Sequence, residues 1–341
     1  MNQSSINNVE EHAKTDNNEK EKKDEPLLPH PRKWDIEWRN LILFIIFHIG
    51  AVRGVYLLFT AAKWQTCLFT LLLYIATSIG ITVGVHRLWS HKTFQARLPL
   101  RLILLFFSTM AFQFSVVAWS RLHRMHHKYL DTDADPYNAR RGFIYSHFGW
   151  MLIKKHPEYK LRIVDMSDLL QDPLLRFQNN HYWEVLFIAF FLIPTYIPTL
   201  WGEQASTAFY TCVCLRYICA LHAIWLINSA AHMWGTKPYD KNMTPVETRI
   251  VALLAAGEGF HNYHHAFPWD YRIAEFGGYS LNIGKLFIDI MAKIGWAYNL
   301  KSVPDELIEK RVKRTGDGTH PIWGWDDPDL PLEDRNMSIV K

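Results

Sequence analysis

The chain has 341 residues, 49% of them hydrophobic, and its 37 basic and 33 acidic residues leave a formal net charge of +4. That length allows one large domain or two small ones, and so even a balance of charge gives no electrostatic case for a nucleic-acid partner. The four cysteines, Cys67, Cys212, Cys214 and Cys219, form neither a zinc pattern nor a disulfide framework.

Residues 1–35 are rich in Asn, Glu, Lys and Pro and read as a disordered tail, not as a signal peptide. Leu41 to Leu58 is then apolar apart from His48 and Arg53, and Cys67 to Val85 carries no charge. Trp183 to Trp201 and Tyr210 to Ala231 carry one charge each, Glu184 and Arg216. Each run has about the 20 residues that a helix needs to cross a bilayer. The expected fold is therefore all-α, an integral membrane protein with four spans near 41–60, 66–85, 183–201 and 210–231. Ala61–Gln65 and Gly202–Phe209 are short connections, which makes two helical hairpins. Both termini and the long middle connection then share one side with nearly all the basic residues, among them Arg32, Lys33, Arg87, Lys92, Arg97, Arg101, Lys154 and Lys155. The positive-inside rule makes that side cytosolic.

Eight of the 17 histidines fall in three short clusters on that side: His86 and His91; His123, His126 and His127; His261, His264 and His265. Spacings of three and four residues place side chains on one helical face, and imidazole suits iron, zinc and copper. A fifth apolar run, Leu98 to Val117, is expected to lie along the interface as an amphipathic helix. If it crossed, the first two clusters would sit on opposite faces. A zinc hydrolase uses about three ligands and a haem one or two. A metal transporter needs ligands near the midplane, where only His48 and His222 lie, with His232 at the end of the fourth span. Two metals with four or five ligands each use the inventory best. Iron fits a nitrogen-rich centre that activates dioxygen, because zinc has no redox chemistry. Carboxylates dominate soluble di-iron bundles, so this centre is expected to be an all-nitrogen variant in a cytosolic helical cap.

From about Trp34 to Gly318 the chain resembles the membrane-bound acyl-CoA desaturases of the stearoyl-CoA type, and the insect members in particular. The resemblance rests on Gly80-Ile-Thr-Val-Gly-Val-His86-Arg-Leu-Trp-Ser-His91, Asp133-Ala-Asp-Pro136, Arg141-Gly-Phe, Ser146-His-Phe-Gly-Trp150, Asn228-Ser-Ala-Ala-His232, Pro238-Tyr-Asp-Lys-Asn242, Gly257-Glu-Gly-Phe-His-Asn-Tyr-His-His265 and Lys313-Arg-Thr-Gly-Asp-Gly318. It implies a desaturase domain over 36–318, a C-terminal cytosolic tail over 319–341 and nine histidine ligands. His86, His123, His126, His261 and His264 would hold one iron; His91, His127, His232 and His265 would hold the other, with Asn228 reaching it through water. His12, His30 and His320 read as solvated, and His48, His147, His156, His181 and His222 as structural.

The implied reaction takes two electrons and dioxygen, removes hydrogen from two adjacent methylenes of a long-chain acyl-CoA, and yields a double bond and two waters. The iron pair carries that oxidation, while the protein holds and bends the acyl chain. No haem-binding His-Pro-Gly-Gly segment is present, so the implied electron donors are separate: cytochrome b5 and its NADH-dependent reductase, in the endoplasmic reticulum membrane. By the same resemblance Gln113 and Trp119 stand at the tunnel bend with Trp225 nearby, Tyr74 and Ser78 near its closed end, and Arg121, Lys154 and Lys155 at the CoA moiety.

Three positions depart from the family pattern. Phe114 and Leu122 stand where an Asn and an Asp commonly grip the head group, and Ile224 replaces a threonine near the bend. Complete ligands predict an active enzyme. The alternatives are a related hydroxylase, acetylenase or conjugase on the same centre, or a metal-holding paralogue that lost its acyl-CoA grip.

Overall fold

The computed structural model describes residues 35–324. The tail expected at 1–35, with His12 and His30, lies outside them apart from Asp35, as does 325–341 of the C-terminal tail. From Ile36 on, the described residues form one compact unit.

Four helices are long and apolar enough to cross a membrane: α1 (Trp38–Thr60), α2 (Trp64–Ser90), α6 (Tyr182–Trp201) and α7 (Ala205–His232). This is a multi-pass membrane architecture of two hairpins. The apolar windows of α2 and α7 are 56% and 61% buried against 28% for both others, so α2 and α7 form the inner pair. They also run furthest past the apolar stretches, α2 to Ser90 and α7 to His232. The chain thereby carries His86 and His232 beyond the apolar stretches, His232 on a 3-10 turn that follows a break at Ser229. At the far end, Glu203 ties the two hairpin turns together. Its carboxylate accepts from Lys63 N at 2.8 Å and Thr66 Oγ1 at 2.7 Å, which satisfies exposed donors at the start of α2.

The fifth apolar run breaks in two. α3 (Leu98–Met110) has 13 residues, about 20 Å of helix against about 30 Å of hydrocarbon. Phe112 and Phe114 then take left-handed φ of 52° and 73°. Ser115 caps α4 (Val116–Lys128) by accepting from Ala118 N. The run to Val117 is thus not one helix, because the left-handed residues Phe112 and Phe114 end the first part and the Ser115 hydroxyl caps a new one.

The cap is completed by α5 (Pro173–Asn180), α8 (Arg249–Leu254), α9 (His261–Ala266), α10 (Ile283–Lys293) and α11 (Asp305–Thr315). The single sheet among the described residues pairs β1 (Gln95–Ala96) with β2 (Ala297–Tyr298), antiparallel. One apolar core joins α2, α3 and α10 through Ile81, Leu104 and Ile288. His320, expected to be solvated, is fully buried in the cap. Its Nε2 lies 3.0 Å from Glu275 Oε2, and that contact with a stacked Trp323 holds the segment down.

Close approach of helices depends on glycine at two crossings. A Cβ on Gly54 would lie 2.3 Å from the Tyr210 carbonyl oxygen of α7, and one on Gly80 would lie 2.4 Å from the Phe107 backbone of α3. Backbone cannot yield as a flexible side chain does. Gly80→Ala is expected to destabilise the protein by about 1–3 kcal/mol, read as a lowered thermal midpoint of the detergent-purified protein. An unchanged midpoint would mean that α2 and α3 do not approach this closely.

Candidate metal centre

Nine histidines converge in two groups. His86, His91, His123, His127 and His264 form the first, and His126, His232, His261 and His265 the second; within each, one ligand atom per residue lies within 4.8 Å of the others. In the first, His86 Nε2 is 3.0 Å from His264 Nε2, and His91 Nε2 is 2.7 Å from His123 Nε2. In the second, His261 Nε2 is 3.1 Å from His232 Nε2 and 3.2 Å from His265 Nε2.

This division differs from the one the resemblance implied: His91 and His127 join the first group, and His126 and His261 the second. The reason is helical phase. Each residue advances about 100° around an α-helix, so in His-x-x-His-His the outer pair, four apart, shares a face and the middle histidine turns away. The pair His123 and His127 of α4 therefore meets the middle histidine of α9, His264. The pair His261 and His265 of α9 meets the middle histidine of α4, His126. His86 and His91 are five apart, a spacing that an α-helix splays. They align because Gly80–Ser90 is π-helical, with the His91 amide donating to the His86 carbonyl five residues back. Such turns recur at functional sites.

Two carboxylates, which the sequence reading did not assign, orient these rings. Glu258 Oε2 lies 2.8 Å from His86 Nδ1, and Asp135 Oδ1 lies 3.0 Å from His126 Nδ1. Asp135 also accepts from the Asp131 and Tyr137 amides, which fixes it in the loop after α4. Each carboxylate requires the proton on Nδ1 and leaves the Nε2 lone pair facing its group. His126 Nε2 is buried without a hydrogen-bond partner, as a ligand nitrogen aimed at a cation would be. Burial, then the charge of neighbouring imidazoles, holds His91, His123, His127, His261, His264 and His265 well below the ordinary histidine range. Neutral imidazole is the ligand form, so the residues fit a pair of transition-metal ions.

A mainly apolar cavity of 350 Å³ reaches both groups, with His86, His123, His126 and His261 in its wall. Of the residues expected at the substrate, Gln113, Trp119 and Trp225 line it, as does Asn228, which was expected at the metal. Trp119 stacks on the His123 ring with centroids 5.0 Å apart. Tyr74 and Ser78 are not in the lining: the Tyr74 hydroxyl donates to the Leu254 carbonyl at 2.7 Å, and Ser78 is buried. Arg121, Lys154 and Lys155 also stand outside it; Arg121 lies over the Tyr159 ring and Lys155 over Trp150. Polar groups in the lining that the sequence reading missed include Arg39 and Asn40 of α1, Thr82 of α2 and Asn179 of α5. The signal for Arg39 and Asn40 was a charged and an amide residue next to each other at the start of an apolar run.

The fatty acid desaturase profile matches residues 62–273. The chain belongs to the fatty acid desaturase family. It is 49% identical over 319 residues to an acyl-CoA Delta-9 desaturase of Acheta domesticus, covering 93% of this chain and 88% of the relative. It is 51% identical over 314 residues to an acyl-CoA Delta(11) desaturase of Trichoplusia ni, covering 91% and 90%. A (11Z)-hexadec-11-enoyl-CoA conjugase of Bombyx mori is 46% identical over 293 residues, 85% of this chain and 88% of that one.

Two of the departures, Phe114 and Ile224, lie on the cavity wall; Leu122 is buried with Tyr137, Tyr145 and Trp150 in an apolar cluster of this desaturase. A phenylalanine at φ 73° is strained by about 1–3 kcal/mol, whereas asparagine tolerates that conformation. Phe114→Asn is expected to raise the thermal midpoint, and a fall would show that the ring's contacts outweigh the strain. Asp135→Asn is expected to lower metal affinity about 10–100-fold, measured as metal per chain by mass spectrometry after dialysis against a chelator. Retention equal to the unaltered protein would remove Asp135 from the centre.

Proposed function

We propose that this protein is an acyl-CoA desaturase that introduces a double bond into a long-chain acyl-CoA. The observation that carries the reading is two groups of converging imidazoles at the wall of an apolar cavity, in a family whose members compared above include acyl-CoA desaturases. Iron is the metal this reading assigns to both groups, His86, His91, His123, His127 and His264 holding one ion. His126, His232, His261 and His265 hold the other, with Asn228 reaching it through water. With dioxygen and two electrons, the ions supply the oxidising power that an unactivated C–H bond requires and that acid–base side chains lack.

The protein supplies geometry. Glu258 and Asp135 hold Nδ1–H of His86 and His126, so these rings keep their lone pairs aimed and cannot rotate. Gln113, Trp119 and Trp225 bring the acyl chain past the His86 and His123 rings. The apolar wall excludes water from the reacting methylenes, which fixes their register against the metal. Arg39, Asn40 and Asn179 offer polar groups to the thioester end, while Arg121, Lys154 and Lys155 attract the CoA phosphates as diffuse positive charge. Tyr74 and Ser78 would bear on the substrate only from behind the cavity wall. Per turnover, the two hydrogens removed from the chain, two electrons, two protons and one dioxygen give two waters. The electrons come from separate cytochrome b5 and its NADH-dependent reductase, and the protein resides in the endoplasmic reticulum membrane with both termini and the metal centre on the cytosolic side.

Expression in desaturase-deficient yeast is expected to restore growth without unsaturated fatty acid and to give a new monoene by gas chromatography. The same chain with His126→Ala should give none. Absence of product from unaltered protein that carries two irons per chain would sink the reading, and a hydroxylated or conjugated product would move it to another outcome on the same centre.

A further inference from the structure

Three histidines outside the metal centre join into a row that no step above uses. His48 lies in α1, His222 in α7 and His147 in the π-helical turn Tyr145–Gly149. His48 Nε2 is 3.0 Å from His222 Nε2, and His222 Nδ1 is 2.9 Å from His147 Nε2. At one end, His48 Nδ1 lies 2.6 Å from the Phe44 carbonyl oxygen. At the other, His147 Nδ1 lies 3.0 Å from the Ser229 hydroxyl, which is also 2.9 Å from the Trp225 carbonyl oxygen.

A count of hydrogens decides how this row is filled. Carbonyl oxygens only accept, so His48 carries its hydrogen on Nδ1, whereas the Ser229 hydroxyl can turn from the Trp225 carbonyl to donate to His147 Nδ1. His147 Nε2 then donates to His222 Nδ1, and His222 Nε2 to His48 Nε2. Three neutral imidazoles thus fill every contact in the row, with His222 donating at one nitrogen and accepting at the other. Ionisable residues inside a span are costly and are kept where they serve a function.

The row stands directly behind the cavity wall. The Trp225 ring lies 5.5 Å from His222 and 6.0 Å from His147, and Phe44 lies 4.0 Å from His48. Phe44 and Trp225 stack on each other at 6.2 Å, and both line the cavity, whereas none of the three histidines does. Ser229 also closes the last turn of α7 next to Asn228.

We propose that His48, His222 and His147 form a positioning clamp, joined through the two hydrogen bonds of His222, which holds Trp225 and Phe44 as one wall of the acyl cavity and so helps set which methylenes are desaturated. This rests on the cavity being the acyl site. His222 is then a specificity-determining residue that never touches substrate.

The test expresses the full chain in desaturase-deficient yeast and measures two quantities: the ratio of double-bond positions and chain lengths among the monoenes, and iron per purified chain. His222→Phe keeps a ring but removes both hydrogen bonds, and it is expected to shift the product ratio about threefold or more at unchanged iron content. His222→Gln, whose amide both donates and accepts, should fall between it and the unaltered chain. Trp225→Ala is the control for the cavity. A shift with Trp225→Ala and none with His222→Phe overturns the clamp alone; no shift with Trp225→Ala overturns the acyl-site reading beneath it. Should His222→Phe fail to accumulate, His48→Leu at the far end of the row replaces it. Loss of all products together with iron in that variant too would reduce the row to a folding element and overturn the proposal.

Discussion

The Glu258 carboxylate, shared between Arg87 and His86, is the contact on which the centre depends. It accepts from Arg87 Nη2 at 3.0 Å and lies 2.8 Å from His86 Nδ1, and both partners are buried. Burial by itself would raise the Glu258 pKa; the Arg87 charge and the hydrogens that His86 and Arg87 direct at the carboxylate outweigh it and hold the carboxyl below the ordinary glutamate range. Arg87 also reaches Asn282 and the Tyr271 carbonyl, so one guanidinium binds the end of α2 to the start of α10 and to the loop that enters α9. Removing one partner would strand a charge in the interior, at a cost of about 3–5 kcal/mol. The first and third histidine clusters are thus brought into register by an ion pair before any metal arrives.

The sequence made the coarse architecture legible because the bilayer imposes it. Runs such as Cys67–Val85 and Trp183–Trp201 have few conformational options in hydrocarbon, where every backbone polar group must be satisfied internally. Most of the ligand inventory was also legible, since eight histidines at short spacings have few other uses; His232 stands outside those clusters and entered only through the family resemblance. The division of the ligands between two groups was not legible. It requires the phase of each helix, and the neighbours His126 and His127 diverge by about 100° although they are adjacent in sequence. The His86–His91 pair needs a π-helical stretch that no periodicity announces. Asp135 and Glu258 escaped because they act on histidines nine and 172 positions away in the chain, through contacts that only the folded cap creates. His320 escaped for the same reason: its partner Glu275 comes from another loop.

The departures at Phe114, Leu122 and Ile224 share one physical direction, from hydrogen-bonding to apolar. Leu122 fits this change without strain, since its surroundings are the aromatic rings of the inner cluster. Phe114 does not, because its backbone is left-handed. A half-exposed ring there extends the apolar wall outward, while Arg39 at the start of α1 and Asn179 at the end of α5 keep polar groups in the lining. On the proposed reading those two groups would meet the head-group end of the substrate in place of the lost pair.

The exchange of middle histidines between α4 and α9 has a consequence for assembly. Each ion would be held by an outer pair from one helix and a single ring from the other, so neither half of the centre can close while the other stays open. Filling the first group fixes His264 and with it the rotation of α9, which presets His261 and His265 for the second. Metal uptake should then be cooperative, with the singly loaded form scarce at equilibrium. In a cell where the metal is limiting, such a protein would partition into fully loaded and empty molecules, and total activity would track the number of complete centres.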